Sequence, residues 1–160
     1  MQSRHVDGIM IRPLQNGDTS TVFALFEQLS DRSRVRRFCG AKPRLPDSEL
    51  ASLARVDANH HVLVAFVDGD PAPAGIAHLT RDWHGAEVAL AVADVYQGRG
   101  IGSTLARELA ADARAAGIRE VVATVRDDNP RAVSLLKRNA SSLHVRWAGG
   151  SREFVVSLAD

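Results

Sequence analysis

The stretch that decides the fold places three glycines within seven residues: Gln97-Gly98-Arg99-Gly100-Ile101-Gly102-Ser103. The apolar run Glu87–Val92 before it predicts a buried strand, and apolar residues at helical spacing after it predict a helix that ends near Gly117. Ser103 is the expected N-cap of that helix. Because glycines leave backbone N–H groups uncovered, the loop predicts an anion site at the positive end of the helix.

Two other phosphate-binding loops do not fit this stretch. A Walker A loop ends in Gly-Lys-Ser/Thr, whereas Gly102 is followed by Ser103 and Thr104. A dinucleotide fingerprint requires a glycine where Ser103 stands, and it usually lies in the first strand–helix unit. The pattern Gln/Arg-x-x-Gly-x-Gly/Ala matches at every position from Gln97 to Gly102. A glycine-rich turn without a ligand is the alternative interpretation.

The matched pattern resembles the acyl-CoA diphosphate loop of the GNAT N-acetyltransferases. The following segments extend the resemblance, because Val121–Val125 predicts a second buried strand and Asn129 and Pro130 predict the start of the next helix. The similarity covers roughly residues 9–158 and is strongest over 87–139. It implies a single α/β (α+β) domain over residues 1–160, with a mixed central sheet of about six to seven strands flanked by about four helices. Residues 1–8 are expected to form a loose N-terminal arm.

Composition agrees with one globular domain. The chain has 160 residues, of which 45% are apolar and 24% charged. A net charge of +1 argues against general binding of nucleic acid, and the sequence has no apolar run of about 18 residues to cross a membrane. Its first residues lack a hydrophobic signal segment, and its single cysteine, Cys39, which is expected as buried filler, cannot form an internal disulfide. The cytoplasm is therefore the expected compartment. Oligomeric state, including a homodimer, stays open.

The strand Glu87–Val92 carries the candidate chemistry. Alternation places Glu87, Ala89, Ala91 and Ala93 on one face and the larger Val88, Leu90 and Val92 on the other. One acid beside a row of alanines predicts the wall of a ligand groove, and a face covered by a helix is the alternative. An attacking amine must lose a proton, so Glu87 is the candidate general base. His78, His84 and His144 are rival bases, although a role as polar residues at strand ends is the preferred explanation for each of them.

The resemblance implies how acetyl-CoA, the expected co-substrate, binds. In this family the strand before the loop diverges from its neighbour and pairs with the pantetheine arm. The backbone N–H of Val92 then polarises the thioester, which makes Val92 a catalytic candidate beside Glu87. No metal is expected. The implied cofactor-binding residues are Leu90, Ala91, Val92, Gln97, Gly98, Arg99, Gly100, Ile101, Gly102, Ser103 and Asn129.

Simpler roles exist for two of these residues, and one family feature is missing. Asn129 is also explained as a plain helix cap, and Arg99 as an exposed arginine of the loop. Many GNAT members have a tyrosine in the Asn129 helix that protonates the departing thiolate, but Leu136 stands at that position. Either water protonates the thiolate, or the protein binds acyl-CoA without fast turnover.

The acceptor is the least determined part of the reaction. Ser30-x-x-x-Arg34-x-x-Arg37-Phe38, followed by a basic segment to Arg44, resembles a segment of bacterial Pat-type protein lysine acetyltransferases. This resemblance implies a protein lysine as acceptor, although six basic residues are also explained as a solvated face. A small amine such as a polyamine, amino acid or antibiotic is the alternative acceptor. A non-catalytic acyl-CoA sensor is the alternative function.

Overall fold

The computed structural model describes residues 3–149 and 151–159, and within them the chain forms one sheet covered by helices on both faces. The strands are β1 (Arg4–Val6), β2 (Ile9–Pro13), β3 (His60–Val67), β4 (Pro73–Asp82), β5 (Gly85–Val92), β6 (Glu120–Arg126), β7 (Ala140–Ala148) and β8 (Ser151–Leu158). The helices are α1 (Thr19–Glu27), α2 (Asp31–Phe38), α3 (Asp47–Leu53), α4 (Ile101–Ala115) and α5 (Pro130–Asn139). Asp94–Tyr96 adds one 3-10 turn.

The order of the strands opens the sheet at one place. The sheet runs β1-β2-β3-β4-β5-β6-β8-β7, and its neighbours are antiparallel except for β5 and β6. In this parallel pair only one residue of β5, Glu87, has a register partner in β6, which is Val122. Beyond that point the two strands diverge toward their carboxyl ends, where β5 leads into the glycine loop. The divergence therefore leaves part of β5 without a partner strand.

Two apolar clusters hold helices on opposite faces of the sheet. On one face, α4 packs Leu105 and Leu109 against the strands, together with Phe154 of β8. On the other, α1 packs Val22 and Phe26 over β3 to β5. Gly75 of β4 permits the close approach of α4, because a Cβ built there would lie 2.8 Å from the Leu105 Cδ1 atom.

Local sequence explains how the helices begin. The Asn129 side chain accepts a hydrogen bond from the Ala132 N–H, and Pro130 is the first residue of α5, so the predicted start of this helix is confirmed. Asp18 likewise accepts from the Thr21 N–H at the start of α1. Ser30 accepts from the Ser33 N–H and begins α2, which lies within the basic segment. The described residues contain five helices and eight strands, compared with the expected four helices and six to seven strands.

The N-terminal segment is not the loose arm expected for residues 1–8. Residues 1 and 2 lie outside the described part, but β1 pairs with β2 through a tight hairpin at Asp7 and Gly8, whose φ angles are 48° and 78°. Asp-Gly is the preferred pair for such a turn, so the sequence did contain this signal. Arg4 then contacts Glu108 and, at 2.7 Å, Asp112 of α4. These ion pairs fix the strand against the helix.

Two further expectations about single residues are wrong. Ser103 does not cap α4, because Gly100, at φ 85°, turns the chain earlier and is itself the N-cap. Cys39 is exposed rather than buried, since it ends α2 in the left-handed conformation at φ 55°, which turns it away from the core. No helix in the described part of the chain combines the length and the apolar character needed to cross a membrane.

Candidate active site

The glycine loop presents an uncapped helix N-terminus. Gly98 and Gly100 have φ angles of 77° and 85°, which residues with a side chain rarely adopt. Gly100 offers no side-chain cap to α4, and the first intrahelical bond runs from the Thr104 N–H to the Gly100 carbonyl. Among the described residues, the N–H groups of Ile101, Gly102 and Ser103 have no partner, as expected for the first turn of a helix. This arrangement is a binding site for an anion.

A cleft of about 440 Å³ leads away from this helix N-terminus along the free side of β5. We call it the cofactor cleft. Ile101 does not line it, because the side chain is buried in the core, and Arg99 lies outside it with its guanidinium 5.4 Å from the centre of the Tyr96 ring. The other predicted cofactor residues line it together: Leu90, Ala91, Val92, Gln97, Gly98, Gly100, Gly102, Ser103 and Asn129.

Four arginines that the sequence did not predict as cofactor-binding residues line the cofactor cleft. Arg36 and Arg37 come from α2, and Arg131 and Arg138 come from α5. The Arg138 Nη1 donates to the Ser103 Oγ at 2.8 Å, whereas Arg131 is exposed and has no hydrogen-bond or ion-pair partner among the described residues. Arg131 and Arg138 are seven residues apart and so share one helix face, a spacing that could have been noticed. Their charges suit the diphosphate and 3′-phosphate of a coenzyme A molecule.

The register of β5 decides which of its backbone groups are free. The Ala93 N–H donates to the carbonyl of Ala74, a residue of β4, at 2.8 Å. In an antiparallel pair only every second residue is hydrogen-bonded to the partner strand, so counting back from Ala93 identifies the residues of β5 that are bonded to β4. Ala91 therefore pairs with Ile76, and the backbone groups of Leu90 and Val92 point toward the gap beside β6. The Ala91 backbone, expected to pair with the pantetheine arm, is not available for it.

Gln97 acts through its side chain rather than only through the loop backbone. Its Nε2 donates to the Val92 carbonyl and to the Ser33 Oγ, both at 3.1 Å. The side chain thereby ties the loop to the end of β5 and to α2. It also occupies the carbonyl of Val92, so the N–H of Val92 is the group of that residue that remains for a ligand.

Glu87 lines a second space, which adjoins the cofactor cleft at Arg37. Its side chain is exposed and lines a cavity of about 240 Å³, together with Arg37, His60, His78 and Thr80. We call this space the acceptor cavity. Alternation along β5 follows the prediction, but Ala91 and Ala93 are buried under α1. The predicted groove therefore exists only at the end of the strand that holds Glu87 and Ala89.

Of the predicted rival bases, His78 alone lines the acceptor cavity, and it is a weak base. Its Nε2 donates to the Leu53 carbonyl at 2.9 Å, which leaves Nδ1 unprotonated and without a partner. Burial, and then the nearby charge of Arg37, lower the pKa of His78 to about 4. Burial also lowers the pKa of the Arg37 guanidinium. His84 and His144 are exposed and lie outside the cavity.

The low pKa of His78 predicts a loss of stability in mild acid. In the unfolded chain the imidazole takes up a proton below about pH 6.5, but in the folded chain only below about pH 4. The unfolding free energy therefore falls as the pH drops through this window, by about 3 kcal/mol from this group. Urea unfolding of the wild type and His78→Gln at pH 7, 5.5 and 4.5 measures it. Parallel pH dependences of the two proteins would contradict the assignment.

A histidine–aspartate pair was not predicted and lies at the same cavity. The His60 Nδ1 donates to the Asp57 Oδ1 at 2.7 Å, and this bond lowers the pKa of Asp57 to about 2. Thr80 of β4 lies between the two residues in the sheet, because it is the register partner of His60 in β3 and of Glu87 in β5. The spacing Asp-x-x-His at the start of a strand could have predicted this pair from the sequence. Only the order of the strands shows that His60 lies near Glu87.

Neither Tyr96 nor Leu136 supplies a proton for a departing thiolate. Tyr96 lines the cofactor cleft, but its hydroxyl donates to Asp70, and this hydrogen bond raises the pKa of the phenol. Leu136, at the position where many relatives have a tyrosine, contributes only apolar surface. Among the described residues no group of three His, Cys, Asp or Glu side chains is placed to hold a metal ion.

The basic segment is partly structural. Arg34 stacks 3.9 Å from the centre of the Phe26 ring and donates to the carbonyls of Phe26 and Pro43. Lys42 pairs with Glu49 at 2.8 Å. Arg36 donates to the Asp128 carbonyl at 2.7 Å, which links α2 to the start of α5 across the cofactor cleft. Three of the six basic residues therefore hold helices in place instead of forming a solvated face.

The site combines a helix N-terminus suited to a diphosphate with a strand edge that has free backbone groups, which is the arrangement expected above for an acyl-CoA site. The sequence model of the acetyltransferase (GNAT) family matches residues 24–140. Acetyltransferase Pat of Mycolicibacterium smegmatis is 32% identical over 143 residues, which cover 86% of this chain and 42% of that protein. The chain therefore spans less than half the length of this relative.

Solved structures agree with the sequence match. The GNAT domain of S. lividans PAT has a TM-score of 0.82 at 26% identity, covering 94% of this chain and 90% of that one. PaiA N-acetyltransferase from Thermoplasma acidophilum, solved with coenzyme A, shares the fold, with a TM-score of 0.69 at 20% identity over 93% of this chain and 98% of that one. This chain belongs to the GNAT family of acetyltransferases.

Proposed function

We propose that this chain acetylates the side-chain amine of a protein lysine by direct attack on acetyl-CoA in a ternary complex, with Glu87 as the general base. The observation that carries the proposal is the position of Glu87, which is exposed, lines the acceptor cavity and lies on β5, the strand that borders the gap in the sheet. The cytoplasm, the ordinary place for a chain with one cysteine, is the proposed compartment.

The reaction needs a base because a lysine amine is protonated at neutral pH. With a pKa of about 10.4, roughly one molecule in two thousand is neutral at pH 7. Glu87 accepts the proton, directly or through one water, as the amine nitrogen forms its bond to the acyl carbon and the carbon–sulfur bond breaks. The sulfur leaves as a thiolate and takes a proton from water.

Backbone groups supply the rest of the proposed site. In the proposed site, the N–H of Val92 donates to the thioester oxygen as negative charge develops there, and the backbone of Leu90 pairs with the pantetheine arm. The direction of both backbones toward the gap supports these roles. Gln97 holds the end of β5 so that these groups keep their direction. The diphosphate fits the N–H groups of the first turn of α4 and the arginines around it.

The open surroundings of Glu87 favour a protein over a small molecule as acceptor. Sites for small molecules usually enclose most of the ligand surface. Here the sheet face that carries Glu87 continues over exposed Glu120 and Thr124 of β6 and exposed His144 of β7. A lysine on a folded surface can reach Glu87 with its four-carbon stem while its own protein rests on this face. The resemblance to Pat-type enzymes supports the same choice of acceptor.

A comparison of acceptors tests the proposal. Thiol release and acetyl-lysine are measured with a panel of folded lysine-rich proteins, and separately with spermidine, free lysine and an aminoglycoside. The control panel is the same proteins after reductive dimethylation of their lysines. We expect at least one unmodified protein to exceed every small amine in kcat/KM by about 100-fold or more. Faster turnover of a small amine would contradict a protein acceptor, and tight acetyl-CoA binding without any transfer would favour a sensor.

A further inference from the structure

A third space, here called the apolar cavity, lies between the two diverging strands and the helices α4 and α5. Its volume is about 140 Å³. Arg36, Arg37 and Asn129 line it on the side that it shares with the cofactor cleft. Its other lining residues are mostly apolar and include Leu136, Ala123 and three alanines of α4, Ala106, Ala110 and Ala113. It adjoins the cofactor cleft, because Leu90, Asn129 and Leu135 line both. The backbone of Leu90 is one of the groups that face the gap between β5 and β6.

The size and direction of this cavity exceed what an acetyl group needs. Ala106, Ala110 and Ala113 lie on one face of α4 and extend over about 10 Å of the helix, at 1.5 Å per residue. Apolar cavities of about 150 Å³ stay dry and bind six-carbon ligands such as benzene. Protein interiors contain few voids larger than a water molecule. A cavity that opens from a thioester site is thus matched to an apolar chain attached to that thioester.

We propose that the apolar cavity holds the acyl chain of donors longer than acetyl-CoA, up to about six carbons, so that the protein also accepts butyryl- and hexanoyl-CoA. The chain passes Leu90 and runs along the alanine face of α4 beneath β6. The transfer step is unchanged: the amine nitrogen bonds to the acyl carbon, the carbon–sulfur bond breaks and the proton goes to Glu87. This inference rests on the acyl-CoA site and not on the choice of acceptor.

Calorimetry with acyl-CoAs alone tests the inference without an acceptor. Each fully buried methylene strengthens binding by about fourfold. We expect hexanoyl-CoA to bind at least about tenfold more tightly than acetyl-CoA, with butyryl-CoA between them and no further gain for decanoyl-CoA. Equal affinities for acetyl- and hexanoyl-CoA would overturn the proposal. Absence of acetyl-CoA binding would also overturn the proposed function, so the two failures are distinguishable.

Variants of the cavity wall separate a specific pocket from general adsorption of the chain. Ala106→Leu places a larger side chain in the cavity from a half-buried position of α4, and Ala110→Val does so from a deeper one. Each is expected to remove most of the gain for hexanoyl-CoA while the affinity for acetyl-CoA stays within about twofold. Ala115→Leu, on the exposed end of the same helix, is the matched control and keeps the gain. A gain that survives both wall variants would overturn the proposal.

Discussion

Replacing Glu87 with glutamine is expected to lower kcat for amine acetylation by about 100- to 1,000-fold and to leave the affinity for coenzyme A unchanged. A positioned general base contributes about 10² to 10⁴ in rate, and glutamine cannot accept the proton. Glutamine has nearly the same shape, and Glu87 is exposed and lies outside the cofactor cleft, so fold and cofactor binding should persist. Steady-state thiol release and calorimetry with coenzyme A give the two quantities.

The loss of rate in Glu87→Gln should depend on the pKa of the acceptor amine. An amine of low pKa is largely neutral without help, so the ratio of wild-type to Glu87→Gln rates is expected to shrink as the pKa of the acceptor amine falls. A ratio that does not change across such amines would indicate that glutamine disturbs positioning instead of proton transfer.

Two control variants make the assignment of the base specific. Glu120→Gln removes another exposed acid on the same sheet face, next to the paired Val122, and is expected to retain near wild-type turnover. His60→Gln tests the other base at the acceptor cavity, whose imidazole is oriented by Asp57. If His60→Gln abolished turnover while Glu87→Gln preserved it, the role of base would belong to His60.

Replacing Gly100 with valine is expected to weaken binding of coenzyme A by about 100-fold, which is about 2.7 kcal/mol. The φ angle of Gly100 is 85°, a conformation that β-branched residues almost never adopt, so the loop must rearrange. Rearrangement turns the N–H groups of Ile101 and Gly102 away from the diphosphate, and each charge-assisted hydrogen bond is worth about 1.5–3 kcal/mol. Calorimetry with coenzyme A measures the loss.

Gly102→Ala is the matched control within the same loop. A Cβ at Gly102 would lie 3.4 Å from the Leu135 Cδ1 atom and 3.6 Å from the Val92 Cγ2 atom, which is ordinary contact. Gly102 lies inside α4, where alanine is preferred over glycine by about 1 kcal/mol. We expect binding within about threefold of wild type and slightly higher stability. Equal losses in both variants would show that backbone conformation at Gly100 is not the cause.

Features that depend on neighbouring residues were predicted well. The Asn129-Pro130 start of α5 follows from capping, which is satisfied within four residues of chain. The strand containing Glu87 and the helix after the loop follow from periodicity. Ser103 was misassigned as a cap because the left-handed conformation of Gly100 already begins the helix, and the sequence allowed either start.

The amino-acid sequence by itself determined the glycine loop, the strand that carries Glu87 and the order of elements around them, because these depend on local conformation and alternation. Only the tertiary structure decided that the backbones of Val92 and Leu90, and not of Ala91, face the gap, since hydrogen bonding in a strand depends on the register of its partner. It also brought Arg36 and Arg138 to the loop and His60 to Glu87. Cavities arise from packing between distant segments, which no local pattern records.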